Sequence, residues 1–188
     1  YYCRSGIFNN CSNLKHGQVK GGFCEYAYAV RPNLRKIPEN VSYEEASFTE
    51  PLACCLNGVN RSNIHTGDDV VVVGAGQIGL MHIQLARHLG GRVIACDLIE
   101  ARLEKAKALG ASDVIHVSEA DAVEAVQDLT EGRGANTVIV AVGTAKAAEM
   151  GIAMAGICGT VNFFAGFYPP QTMNVEPSVI HYKQLNVT

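Results

Sequence analysis

The 188-residue sequence has no run of like charges: 15 Lys and Arg stand against 18 Asp and Glu, a net charge of −3. Nucleic acid and anionic membranes are met by basic stripes, so neither partner is expected. The chain opens Tyr1-Tyr2-Cys3-Arg4 instead of with a basic and then an apolar segment, so no secretory signal is expected. One charge-free stretch, Met150 to Phe167, approaches the length needed to cross a bilayer. Gly151, Gly156, Gly159 and Gly166 punctuate it, so it reads as a helix end, a turn and a buried strand. A disulfide framework is also missing, because the seven cysteines are odd in number and scattered. Cys24, Cys54, Cys55, Cys96 and Cys158 read as small buried hydrophobes, and a reducing cytoplasm is the expected compartment. What remains, 48% hydrophobic and 18% charged, is a globular chain able to bury one good core.

From Asp69 onward short apolar runs alternate with helical periodicity. Val70–Val73, Val93–Cys96, Val114–Val117, Thr137–Val142 and Gly159–Ala165 read as strands buried on both faces of a parallel sheet. The first intervening helix places Ile78, Met81, Leu85 and Leu89 on one stripe and stops at Gly90-Gly91. A second runs from about Glu100 to Leu109, with Gly110 just past its end. Ser118 and Asp121 resemble a capping box for a third, carrying Ala122, Val126 and Leu129, and Thr144 caps a fourth ending near Gly156. The repetition predicts an α/β fold with a doubly wound parallel sheet, its crevice at the carboxyl ends of the first and fourth strands. Residues 1–49 break this rhythm: Tyr26–Val30 reads as a strand, Pro32 and Pro38 bracket a loop, and Ser42 with Glu45 marks a helix start.

Within this frame the run Gly74-Ala75-Gly76-Gln77-Ile78-Gly79 follows a strand and opens a helix, and Asp97 ends the next strand. Such a turn serves a dinucleotide. The first glycine permits the bend, the second admits the pyrophosphate, and the third lets helix and strand pack. The helix N-terminus offers its unpaired N–H groups to the phosphates. Asp97 would accept from the adenosine ribose and repel a 2′-phosphate. Leu98 and Ile99 after it are apolar and Arg102 is one helical turn further on, so NAD is favoured over NADP. The expected cofactor contacts are Gly74, Gly76, Gln77, Ile78, Gly79, Asp97 and Arg102. The six histidines, including His82 and His88 on the first helix of the fold, are assigned no role.

Four ordered segments carry a resemblance: Tyr2-Cys3-Arg4-Ser5-Gly6-Ile7-Phe8-Asn9-Asn10-Cys11, Gly21-Gly22-Phe23-Cys24-Glu25-Tyr26, Glu50-Pro51-Leu52-Ala53-Cys54, and Gly74 to Gly79. Together they resemble the zinc-containing medium-chain dehydrogenases, in the polyol and secondary-alcohol branch that includes sorbitol, threonine and butanediol dehydrogenases. The resemblance implies a Rossmann cofactor domain over residues 50–188. Residues 1–49 would then be a strip of a mostly-β, GroES-like catalytic domain carrying half of a structural-zinc lobe. It makes Cys3 and Cys11 metal-proximal, and gives Glu50 a catalytic role as zinc ligand or as acceptor from metal-bound water. By the residues alone, Glu50 is an acid in the first turn of a helix with Pro51 at its first position. Two cysteines are half of a closed zinc site, so zinc belongs to the full-length enzyme and is not expected to be retained here. Cys24 and Gln77 depart from the small residue and the proline usual in the family.

The function so implied is hydride transfer between an alcohol or polyol and NAD, with the isolated chain inactive. A zinc-independent reductase of the same superfamily or a non-catalytic dinucleotide sensor are the alternatives, and neither needs Cys3, Cys11 or Glu50. The Gln171–Val175 segment resembles the family's strand that pairs across a two-fold axis, so a homodimer or homotetramer is expected. Gly166-Phe167-Tyr168-Pro169-Pro170 reads as a turn beside the nicotinamide.

Overall fold

The computed structural model describes residues 1–7, 10–12, 23–28 and 34–188. The chain divides into two compact units, Tyr1–Ser47 and Phe48–Thr188.

In the first unit the described residues contain one helix, α1 (Tyr43–Ser47). The expected start is formed there. Ser42 N–H and Oγ both donate to Glu45 Oε2, at 2.8 and 2.9 Å, and Glu45 N–H donates back to Ser42 Oγ at 3.2 Å. Tyr26–Tyr28 carry no strand, while Ala29, Val30 and Pro32 lie outside the described residues, as do Phe8, Asn9, His16, Gly21 and Gly22. No disulfide joins any of the seven cysteines.

The second unit opens with α2 (Thr49–Ser62) and then alternates. The order is β1 (Asp69–Val73), α3 (Gln77–His88), β2 (Arg92–Asp97), α4 (Glu100–Ala108), β3 (Asp113–His116), α5 (Ala122–Leu129), β4 (Ala135–Val140), α6 (Ala145–Met154), β5 (Ala155–Phe163), α7 (Pro177–Tyr182) and β6 (Asn186–Val187). All strand pairs are parallel and the sheet order is β3-β2-β1-β4-β5-β6. This is the Rossmann arrangement, whose order reverses between β1 and β4. No described helix is long and apolar enough to cross a membrane.

The apolar runs divide between two cores because successive residues of a strand face opposite sides. Val71, Val73, Ile94, Cys96, Val138 and Val140 pack with Val126 of α5 and Ile152 of α6. Val70, Val72, Val93, Ala95 and Ile139 pack with Val59 of α2 and Ile83 and Ala86 of α3. Full burial of each valine or isoleucine among them is worth about 1.5–3 kcal/mol, which makes the two layers mutually dependent on one sheet.

Several local expectations are corrected. α3 buries Gly79, His82, Ile83 and Ala86 with Met81, leaving Leu89 exposed, so its core face is rotated from the Ile78–Leu89 stripe. Asp121 itself caps α5, accepting from Val123 and Glu124 N–H, while Ser118 Oγ pairs with His116 Nδ1 at 2.9 Å. α6 runs straight into β5 at Ala155 with no intervening turn. Pro51 is the third residue of α2, not the first, since the helix begins at Thr49. Cys55 and Cys96 are buried as expected, but Cys24, Cys54 and Cys158 are exposed. Thr144 does cap α6, accepting from Ala147 N–H at 3.2 Å, and Gly110 (φ 112°) does follow α4. Gln171–Val175 forms no strand in the single chain. Gln171 Oε1 instead accepts from Ala145 N–H at 2.8 Å and Glu149 Oε1 from Asn174 N–H at 2.6 Å, which straps the segment to α6.

Candidate functional site

The candidate site lies where β1 ends and α3 begins. Gly74 has φ 95°, a left-handed conformation open to glycine, and a Cβ on it would collide with Val142 Cγ2. Its N–H donates to Cys96 O at 2.7 Å, tying the turn to β2. Gly79 is demanded by packing, because a Cβ there would collide with the carbonyl oxygen of Gly74. Gly76 is different: a Cβ on it would meet nothing within 4 Å, so the protein's own packing does not require glycine. Gly76 also occupies the N-cap of α3 without a side-chain cap, which leaves the first-turn N–H groups, Gln77 and Ile78 among them, facing the opening.

Asp97 joins this turn from β2. Its carboxylate is only 7% exposed, and Oδ2 accepts from Ala75 N–H at 2.7 Å while Oδ1 accepts from Ile99 N–H at 2.9 Å. A carboxylate has about four lone-pair positions, so each oxygen retains capacity for a further donor. The guanidinium of Arg102, half exposed, reaches Oδ2 at 3.7 Å. Gly74, Gly76, Gln77, Ile78, Gly79, Asp97 and Arg102 therefore converge on one corner of the sheet. The Ala75 amide, which fixes Asp97, carries no side-chain signal and was not foreseeable.

The facing wall comes from the loops after β4 and β5. A Cβ on Gly143 would collide with Gly166 O, and Phe164 and Ala165 N–H both donate to Val140 O at 3.1 Å. The two loops are thereby held against each other at the sheet's switch point, the crevice where this topology receives a ligand.

The buried face of α3 carries a histidine. His82 is 0% exposed, neither ring nitrogen has a hydrogen-bond partner, and its ring meets the edge of Phe164 with centroids 4.4 Å apart. Burial pushes its pKa down from 6.5 to about 4. Its neighbourhood is held by Asn162, whose side-chain N–H₂ donates to Gly58 O at 2.9 Å and Ser62 Oγ at 3.1 Å.

The metal-proximal candidates belong to different units of the chain, Cys3 and Cys11 to the first and Glu50 to the second. Cys3 and Cys11 are hydrogen-bonded to each other, and that bond, with burial and the neighbouring thiol's charge, raises the Cys3 pKa. Glu50, exposed on α2, accepts from the Cys54 thiol at 3.3 Å, which raises the Cys54 pKa. Among the described residues no three His, Cys, Asp or Glu side chains are grouped to hold a metal ion. Neither the pair of thiols nor the lone carboxylate offers by itself the three or four protein ligands that a zinc site takes.

Residues 78–188 match the family model for zinc-binding dehydrogenases. The chain is 41% identical over 155 residues to sorbitol dehydrogenase of Halalkalibacterium halodurans, covering 80% of this chain and 45% of that protein. It is 34% identical over 190 residues to L-threonine 3-dehydrogenase of Pyrococcus horikoshii, covering 100% of this chain and 54% of that protein. Among solved structures, a zinc-binding dehydrogenase of Sinorhizobium meliloti bound to NADP superposes with a TM-score of 0.85 at 28% identity, over 99% of this chain and 56% of that one. The chain thus spans about half the length of the curated relatives it matches. On the strength of the matched segment and of these relatives, the chain belongs to the zinc-binding dehydrogenase family.

Proposed function

We propose that the protein is an oxidoreductase transferring hydride between an alcohol or polyol and NAD, and that residues 50–188 supply its cofactor domain. The observation that carries this reading is the corner in which Asp97 Oδ2 holds the Ala75 amide beside a glycine turn whose second glycine faces open space. In this reading, the first-turn amides of α3 grip the pyrophosphate, and Asp97 takes the ribose hydroxyls on its remaining lone pairs. Arg102 lies at the sugar's edge. The acidic corner disfavours a 2′-phosphate, which makes NAD the preferred cofactor. The loops holding Gly143 and Gly166 together form the nicotinamide wall. Hydride chemistry itself belongs to the cofactor, and these residues bind it, orient it and shield it from water.

Glu50 is assigned a place at the catalytic zinc of the intact enzyme, as ligand or as acceptor from metal-bound water, and Cys3 and Cys11 a place in the structural lobe. Neither set makes a metal site by itself. A homodimer or homotetramer through Gln171–Val175, a cytoplasmic setting and the division at residues 49 and 50 complete the proposal.

Calorimetry on the folded chain with NAD⁺ and NADH tests the cofactor site. Saturable binding, weaker for NADP⁺, is expected, and no heat with any of these would refute it. For the activity, the full-length protein is screened with sorbitol, xylitol, threonine and butanediol, in wild-type form and as Glu50→Gln. NAD reduction by wild type and a large loss in the variant are expected. Unchanged turnover and zinc content would remove Glu50 from the site.

A further inference from the structure

A second cleft, of about 480 Å³, opens at the amino ends of β4 and β5, the end of the sheet opposite the Gly74–Gly79 turn. That volume falls within the range of small-molecule sites. Its lining includes Arg133, Lys183, Asn136 and Gln127, and no carboxylate is among the described residues that line it, in a chain whose net charge is −3.

The donors are placed by the fold. Arg133 sits in the α5–β4 turn, and one nitrogen of its guanidinium meets Asp69 Oδ2 at 3.3 Å. Asp69 is buried behind the cleft and is shared with Arg92, at 3.3 Å, which also pairs with Asp113 at 2.9 Å. Three cations including Lys183 therefore stand against two carboxylates. Guanidinium carries five N–H donors, so Arg133 keeps several after meeting Asp69. Lys183 follows α7 and donates to Ala153 O at 3.2 Å and Ala155 O at 2.7 Å, which leaves one of its three protons. Asn136 spends its side-chain carbonyl on Asp69 N–H at 2.9 Å, so its amide N–H₂ is left to donate. A fork, a point charge and an amide, all donors, suit a tetrahedral oxyanion.

We propose that this cleft binds a phosphate group, free or as the monoester of a small metabolite, at a site independent of the dinucleotide corner. The proposal does not rest on the function proposed above, because it uses none of the same residues.

The test is a titration of the ¹⁵N-labelled full chain, in phosphate-free buffer containing saturating NAD⁺ to occupy the pyrophosphate turn. The probes are inorganic phosphate and, separately, glycerol 3-phosphate. Saturable shifts of the Gly132, Gly134, Gly156 and Ile157 amides are expected, with affinity weakened about tenfold or more in Arg133→Gln and in Lys183→Gln. The tighter of the two probes identifies the source as free phosphate or an ester. Lys183→Gln also removes a tie to the end of α6, so Arg133→Gln, with an otherwise unchanged spectrum, is the deciding variant. Shifts confined to Gly74–Gly79, no saturable shift at the cleft, or undiminished affinity in Arg133→Gln would each overturn the proposal.

Discussion

Acidification should unfold this protein partly through one side chain. The His82 ring is fully buried with both nitrogens unpartnered, and its pKa falls from 6.5 to about 4 through burial. Between those values the unfolded chain binds a proton that the folded chain refuses. The unfolded state holds more protons in that window, so stability rises with pH across it. The contribution is fully present above pH 6.5 and wholly lost below about 4. At 1.36 kcal/mol per unit, a shift of about 2.5 units is worth about 3.4 kcal/mol, a large part of a domain stability of about 5–15 kcal/mol. Urea denaturation from pH 7.5 to 4, of wild type and of His82→Leu, measures it. Carboxylates titrate alike in both proteins and cancel in the difference. The wild type should lose up to about 3 kcal/mol more than the variant over the window, and the variant should match or exceed it at pH 7.5, where two unpaired polar atoms have been removed. Parallel curves would refute the argument.

Other substitutions separate binding from folding. Gly76→Ala places a methyl in open space, so its melting temperature should stay within a degree or two of wild type, while NAD affinity by calorimetry falls at least tenfold. Gly79→Ala collides with Gly74 O and should lose both affinity and melting temperature. Asp97→Asn weakens the acidic corner, and the ratio of NAD to NADP affinity should fall about tenfold; an unchanged ratio would remove Asp97 from cofactor choice. Ile139→Ala, at a fully buried position near the carboxyl end of β4, should cost about 2–5 kcal/mol in urea denaturation, with NAD affinity retained in the folded fraction.

The parts of this fold that were legible are those written in strong local chemistry. Val70–Val73 admits few readings other than a strand buried on both faces, and the glycine turn and Asp97 at the next strand's end do meet at one corner of the sheet. β6 was missed because it is two residues, Asn186 and Val187, both exposed, with no pattern to read. The buried face of α3 was misplaced because a histidine lies in it, and periodicity counts His82 as polar. Tertiary packing against Phe164 overrode that. Pro51 was set at the first position by a preference that permits any of the first turn's positions, whose N–H groups have no helical partner. Composition makes Cys158 a core residue, yet it has φ 59° at the surface, a conformation no propensity scale anticipates. Ala75 shows the general limit: its contribution is a backbone amide, which every residue has.

β1 shows the same apolar face upward and downward, valine after valine. Within the four valines a slide by one position exchanges the two sides and still sets hydrocarbon against hydrocarbon, so their burial alone does not choose between the two placements. The choice falls to its ends. Asp69 is moored by Arg92, Arg133 and Asn136, and Gly74 by the backbone of Cys96. A strand without an inside of its own is aimed by its two anchors, and with it the turn at its tip.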